Sequence, residues 1–202
     1  DMPDPNVPAG VALQEITATA RRSAALTRQL LAFARRQASR PEVTELNDKI
    51  ASTLSMLRRL IGEDIRLDFR PGPGLYPVNI DPSQVDQMMA NLVVNARDAM
   101  ETGGRILIAT RQVTLVSAAE TRNRLPAGHY CEIEVRDTGS GMSPDVLERI
   151  FDPFYTTKEQ GKGTGLGLAT VFGIVQQSGG HIWVYSEVGR GTTFRVRLPR
   201  AP

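Results

Sequence analysis

The run YCEIEVRDTGSGM, residues 130–142, limits what this chain can fold into more than any other stretch. It alternates as a strand does, so Cys131, Ile133 and Val135 share one apolar face, and strand parity sends Asp137 to that same side. A carboxylate aimed inward is costly unless something pairs with it. A carboxylate only accepts hydrogen bonds, so a buried amino group suits it, and the exocyclic amine of adenine is such a group. Guanine presents a carbonyl oxygen at that place and is disfavoured. On this reading Gly139 and Gly141 let a flat ring lie close to the backbone. A second reading stays open, in which Asp137 only caps a turn.

The remainder of the chain reads as a mixed α/β layout. Ile50, Leu54, Leu57 and Ile61 mark a helix closed by Gly62, and IRLDF alternates Ile65, Leu67 and Phe69 as a strand. DPSQ, residues 81–84, is a helix start: Asp81 caps, Pro82 suits the first turn, and Gln84 stands at the capping-box position. That helix runs through Met88, Leu92, Ala96 and Ala99 to a stop at Gly103 and Gly104. Strands follow at 105–116 and 130–136. GLATVFGIVQQSGG is a helix ending in two glycines, and HIWVYSE and TTFRVRL form a hairpin across residues 189–191. Four or five strands and three or four helices in this order predict a sheet covered on one face by helices.

Ahead of this lies a different pattern. Residues 1–8 hold three prolines and read as a disordered lead-in. From Leu13 to Ala34 apolar residues recur in steps of three and four, predicting one long helix with a single seam that ends at Pro41. The seam needs a partner helix and predicts self-association. Residues 21–40 carry Arg21, Arg22, Arg28, Arg35, Arg36 and Arg40 with no acidic residue, which suits an acidic partner surface or simply a solvated face. The net charge of +2 is too small to argue for nucleic acid as a partner. With one cysteine, Cys131, an internal disulfide and a multi-cysteine zinc site are excluded. No apolar run approaches a membrane span, so a cytoplasmic domain is expected, whose parent could still be membrane-anchored.

Four further runs carry chemistry. In NLVVNARDAM, Asn91, Asn95 and Asp98 recur at i, i+4 and i+7 and form a polar stripe on one helix face. Such a stripe either faces water or supplies oxygens for Mg²⁺, a cation that keeps waters and takes its other ligands from phosphate. GKGTGLGL, residues 161–168, turns a loop into a helix; Gly163, Gly165 and Gly167 free the backbone, and the exposed amides of the helix start can bind phosphate oxygens. It lacks the GK[ST] ending of a Walker loop. Between this run and DTGSGM lies FDPFYTTKEQ, a hydrophobic anchor followed by a polar stretch, which reads as a lid with Lys158 and, beyond it, Lys162 over the phosphates. GRGTTF, residues 189–194, makes a tight turn that presents Thr192.

In this order the runs resemble the N, G1, F, G2 and G3 boxes of the histidine-kinase ATP-binding domain, one branch of the superfamily that also holds the Hsp90, type II topoisomerase and MutL ATPases. The resemblance covers about residues 42–200 and implies a Bergerat-type α/β sandwich that binds ATP with Mg²⁺. It implies Asn95 as metal ligand with Asn91 in support, Asp98 beside them, and Asp137 on the adenine amine. Gly139, Gly141 and Met142 would line the base; Gly163, Thr164, Gly165, Leu166, Gly167 and Leu168 would wrap the phosphates; Thr192 would reach adenine through water. In the ATP-hydrolysing relatives a glutamate stands four residues before the metal asparagine; here that residue is Asn91, an amide without useful basicity. Phosphoryl transfer to a protein side chain therefore fits better than hydrolysis. Many histidine kinases carry lysine three residues after the metal asparagine, whereas this chain has Asp98, which leaves Lys158 or Lys162 to neutralise phosphate.

The long basic helix, within residues 9–40, looks like the second helix of the family's dimerisation and phosphoacceptor hairpin. The first helix, with its acceptor histidine, is missing from this sequence; His129 and His181 both flank strands and read as structural. The implied partners are a histidine-bearing helix of the same or a sister chain, a response regulator receiver domain, and a second copy in an intact homodimer, with this fragment unable to phosphorylate itself. Two rival readings are a hydrolytic ATPase of the same superfamily and a non-catalytic module that senses nucleotide or docks a partner.

Overall fold

The computed structural model describes residues 40–116, 125–158 and 163–202. The lead-in at 1–8, the long helix expected within 9–40 apart from Arg40, and Lys162 lie outside the described residues. Seven strands and four helices follow among the described residues: β1 (Glu42–Thr44), α1 (Leu46–Ile61), β2 (Ile65–Arg70), β3 (Val78–Ile80), α2 (Pro82–Asp98), β4 (Gly104–Leu115), β5 (Gly128–Asp137), α3 (Pro144–Leu147), α4 (Gly167–Gln177), β6 (His181–Glu187) and β7 (Gly191–Pro199). Five strands form one mixed sheet in the order β2-β4-β5-β7-β6, and helices α1, α2 and α4 cover one face, as the α/β sandwich expectation requires.

Only β2 and β4 run parallel, and α2 lies in the connection between them because parallel neighbours need a long crossover. β4 and β5 make a ten-pair antiparallel ladder from Ile106↔Asp137 to Leu115↔Gly128, which fixes the face that Asp137 occupies. Ile106, Ile108, Ile133, Val135, Phe194, Val196 and Leu198 point to the helix layer and are buried there.

Helix α2 sits centrally. Val85, Met88, Met89, Leu92, Val93 and Ala96 are buried at steps of three and four, which leaves Asn91, Asn95 and Asp98 on the side away from the core. Asp81 starts the helix as expected, its Oδ1 accepting the Ser83 N–H at 2.9 Å. The helix ends at Asp98, earlier than the glycine stop predicted, and the chain then turns so that Gly103 (φ +86°) passes against the Asp64 carbonyl. In α1 the buried stripe includes Thr53 and only partly includes Leu54. Thr53 Oγ1 donates to Asp86 Oδ1 at 2.6 Å, and Lys49 Nζ reaches Asp86 Oδ2 at 2.6 Å, so α1 meets α2 through a polar seam as well as an apolar one.

Three short elements are additions to the expectation, the four-residue α3 and the strands β1 and β3. β1 and β3, three residues each, pair antiparallel as a separate two-stranded sheet. Elements this short carry too few residues for a readable period.

Candidate nucleotide site

The site lies where the C-terminal ends of β5 and α2 meet the β6–β7 turn and the start of α4. Asp137 is only 4% exposed and on the helix side of β5, as strand parity requires. Its Oδ1 accepts the N–H groups of Gly139 at 2.8 Å and Thr192 at 3.1 Å. Its Oδ2 has no protein partner among the described residues, and the residue borders a cavity of about 210 Å³. Burial pushes the carboxyl above its ordinary range, against the pull of the two backbone bonds. Gly141, Met142, Val146, Ile150, Leu168, Thr192 and Phe194 line the same cavity. Met142, Val146, Ile150, Leu168 and Phe194 thus give the cavity an apolar side near the Asp137 acceptor, an arrangement suited to a flat base bearing an amino group. Thr192 is held by Ser186, whose Oγ lies 2.9 Å from the Thr192 hydroxyl and accepts the Met142 N–H at 2.8 Å.

The two glycines of the G1 run have a different reason from the one their spacing suggested. Gly139 lines neither cavity of the site; a Cβ there would stand 2.7 Å from the Ala99 carbonyl oxygen, so the glycine lets the strand end pack on the end of α2. Gly141, in the left-handed region at φ +69°, does border the cavity, yet its Cβ would strike the Glu187 carbonyl oxygen at 2.0 Å. Close approach of protein backbone to protein backbone demands both residues.

A second cavity, of about 330 Å³, adjoins the first, and both are bordered by Asn95, Asp98, Ile150, Tyr155, Thr156 and Leu168. Together they fall within the roughly 300–1,000 Å³ range of small-ligand sites. Asn91, Lys158, Gly163, Thr164, Gly165, Leu166 and Gly167 line this second part. Helix α4 opens into it. Leu166 at its N-cap makes no side-chain cap, so the first amides of the helix remain available to an anion. Gly167 lies over the α2 stripe, with its would-be Cβ 3.5 Å from Asn91 Oδ1 and 3.8 Å from Asn95 Nδ2. Gly165 adopts φ +66° and accepts the Phe154 N–H at 3.0 Å; a side chain there would collide with the Phe154 backbone. Phe154, at φ +69°, is the non-glycine residue of positive φ among the described residues, so this clip holds two left-handed residues against each other.

Lys158 reaches into the second cavity and places Nζ 2.5 Å from Asp98 Oδ2, while Arg97 binds Asp98 Oδ1 at 2.5 Å. Burial raises the Asp98 carboxyl, but the two cations outweigh it and hold it below its ordinary value. Lys158, one of the two lysines expected near phosphate, thus lies in the second cavity and is tethered to Asp98. Among the described residues no group of three or more His, Cys, Asp or Glu side chains can hold a metal. Two amide side chains beside a phosphate-sized cavity suit Mg²⁺ all the same, because that ion fills its shell with water and phosphate oxygens.

Neither histidine borders these cavities. His129 packs on Tyr76 with ring centroids 5.1 Å apart, and His181 meets Trp183 edge-on at 4.6 Å. Gln87, Tyr155, Thr156 and Ser186 belong to the site and were not anticipated. Gln87 lies four residues before Asn91 and extends the same stripe, so helical spacing could have found it. Ser186 carries no such signal; only the pairing of β6 with β7 brings it to Thr192.

Comparisons with known proteins give the family and the fold. Residues 80–202 match the family described as histidine kinase-, DNA gyrase B-, and HSP90-like ATPase. The chain is 52% identical over 198 residues to the sensor kinase CckA of Brucella abortus, a match covering 98% of this chain and 21% of that protein. It is 33% identical over 201 residues to the sensor protein FixL of Bradyrhizobium diazoefficiens, covering 98% of this chain and 37% of FixL. The chain thus spans well under half the length of either relative. Among solved structures, the catalytic domain of the histidine kinase ThkA superposes with a TM-score of 0.60 at 26% identity, covering 80% of this chain and 96% of that one.

Proposed function

Because the chain belongs to the family of histidine kinase-, DNA gyrase B- and HSP90-like ATPases, we propose that its two adjoining cavities hold Mg²⁺·ATP and that, within a longer sensor kinase, it passes the γ-phosphoryl group to a histidine on a dimerisation helix. Asp137 Oδ2 would accept the adenine amine, Met142, Ile150 and Leu168 would enclose the ring, and Thr192 would reach it through water. Asn95 would hold Mg²⁺ with Asn91 in support, while Gly163, Thr164, Gly165 and Leu166 and the free amides of α4 cradle phosphate oxygens. Lys158 would exchange Asp98 for phosphate oxygen. Bound ATP would supply the phosphoryl group, and Mg²⁺ held by Asn95 would supply charge neutralisation during its transfer.

The observation that carries transfer over hydrolysis is the state of the carboxylates. Two border the cavities, Asp98 and Asp137. Asp98 is bound by Arg97 and Lys158 and held below its ordinary value, and Arg97 would stay on it when Lys158 turns to phosphate, which makes it a poor base; Asp137 lies at the base end. Among the described residues, water at the phosphate end therefore has no competent base, and an incoming imidazole brings its own nucleophile. In the longer protein the domain would act on the acceptor helix of the same or a sister chain in a homodimer, and the phosphoryl group would pass on to a response regulator receiver domain. No helix among the described residues is long and apolar enough to cross a membrane.

The test mixes γ-labelled ATP, Mg²⁺, this chain and a parent kinase with an intact acceptor histidine but a disabled nucleotide site. Acid-labile label on the partner, absent with Asp137→Ala, is the expected result. Free phosphate without label would instead assign the chain to the hydrolytic ATPases.

A further inference from the structure

The parity that sends Ile106, Ile108 and Asp137 to the helix layer sends Arg66, Asp68, Arg70, Arg105, Leu107 and Arg136 to the opposite face of the sheet. None of the helices among the described residues covers that face. Asp68 is already shared by Arg66 at 3.0 Å and Arg105 at 2.6 Å, and Glu134, on the same face two residues before Arg136, is taken by Arg195 at 2.8 Å. Arg70 and Arg136 are exposed and have no ion-pair partner among the described residues. With Arg105, Leu107 and Thr138 they border a shallow depression of about 270 Å³. Leu107, half-buried, forms its floor and is paired in register with Arg136 on one side and Asp68 on the other.

We propose that this depression on the uncovered sheet face is a docking surface for a carboxylate-bearing segment of a partner protein. Arg70 on β2 and Arg136 on β5 stand on either side of β4 on the same sheet face, both unneutralised, and an acidic partner relieves the excess positive charge they build up there. Guanidinium forks match carboxylates in pairs, and an arginine rim over an apolar floor has the composition of protein interfaces. The chain's own residues 21–40 hold six arginines and no acid, so that segment is repelled from the site. A bilayer is disfavoured because Leu107, the apolar residue of the depression, lies at its floor and cannot reach into lipid. The surface has a direct path to the site described above: Arg136 and Thr138 flank Asp137, and the Thr138 hydroxyl accepts the Arg105 N–H at 3.1 Å. A partner held there grips both neighbours of the buried carboxylate.

The test uses the 202-residue chain and a fluorescein-labelled peptide with a central leucine flanked on each side by two aspartates, followed by fluorescence anisotropy at low salt. Arg70→Glu/Arg136→Glu is expected to weaken binding about tenfold or more. Arg58→Glu/Arg59→Glu, an equal charge change at exposed positions of α1, should leave binding unchanged. Arg70→Gln/Arg136→Gln serves if the glutamate variant melts early, and the same loss is expected of it. Equal losses in the sheet and α1 variants would reduce the effect to net charge and overturn the proposal. So would absence of peptide binding by the parent chain, or capture of the chain by phosphatidylserine vesicles without peptide binding, which would point to a membrane surface.

Discussion

Replacing Asp137 by asparagine separates the two readings of its carboxylate, because the proposed function gives adenine to Oδ2 while Oδ1 binds backbone. Oδ1 holds the Gly139 and Thr192 N–H groups, and the amide oxygen of asparagine can accept both bonds unchanged. The amide nitrogen then takes the place of Oδ2 and turns a donor toward the donor of adenine. A hydrogen bond to a charged group contributes about 1.5–3 kcal/mol. Its loss alone weakens ATP binding by roughly 10- to 150-fold. GTP suffers less, so the preference for adenine narrows. Stability moves the other way. Burial raises the Asp137 carboxyl in the folded state, so the folded protein holds this proton to a higher pH than the unfolded chain does. Stability is therefore lost as pH rises from the unfolded to the folded pKa, and at neutral pH the charge is a burden that asparagine removes. The ligand-free variant should melt no lower than the parent at neutral pH, with the difference shrinking as acid protonates both states. Titration calorimetry with ATP and GTP, together with melting curves across pH, reads both effects. Unchanged ATP affinity in a folded variant would refute adenine recognition and leave Asp137 as a turn cap.

Lys158→Ala should weaken ATP about tenfold while leaving adenosine unaffected, because Nζ lies at the phosphate end of the site; an equal loss for adenosine, measured by calorimetry, contradicts that placement. Glu132→Ala should cost about 3–5 kcal/mol in urea unfolding, since the fully buried carboxylate binds Arg111 at 2.5 Å and Arg197 at 2.7 Å and its removal leaves half-buried Arg197 unpaired. Gly173→Ala should stabilise the protein by about 0.5–1 kcal/mol, as its Cβ would meet nothing within 4 Å in mid-helix, whereas Gly141→Ala, at φ +69° and against Glu187, should lower the melting temperature. Cys131 is buried and its thiol is pushed up to about 11, so iodoacetamide should label it only after unfolding, which mass spectrometry reads directly.

Much of this site was legible residue by residue. Parity within one strand placed Asp137 inward, spacing along one helix aligned Asn91, Asn95 and Asp98, and glycines before an apolar period located the open start of α4. Each of these is a property of a single element, which a local sequence decides through its repeat. The three-residue strands β1 and β3 were too short for that rule. What the tertiary structure decided is how elements meet. Glu132 alternates with apolar neighbours and reads as a wet position, yet it is fully buried because β4 and β7 each bring an arginine against it. Lys158 meets Asp98 across sixty residues, Ser186 reaches Thr192 through the hairpin register, and Gly139 and Gly141 serve contacts with Ala99 and Glu187. A residue's spacing tells which way its side chain faces; only the order and register of the other elements determine what stands opposite.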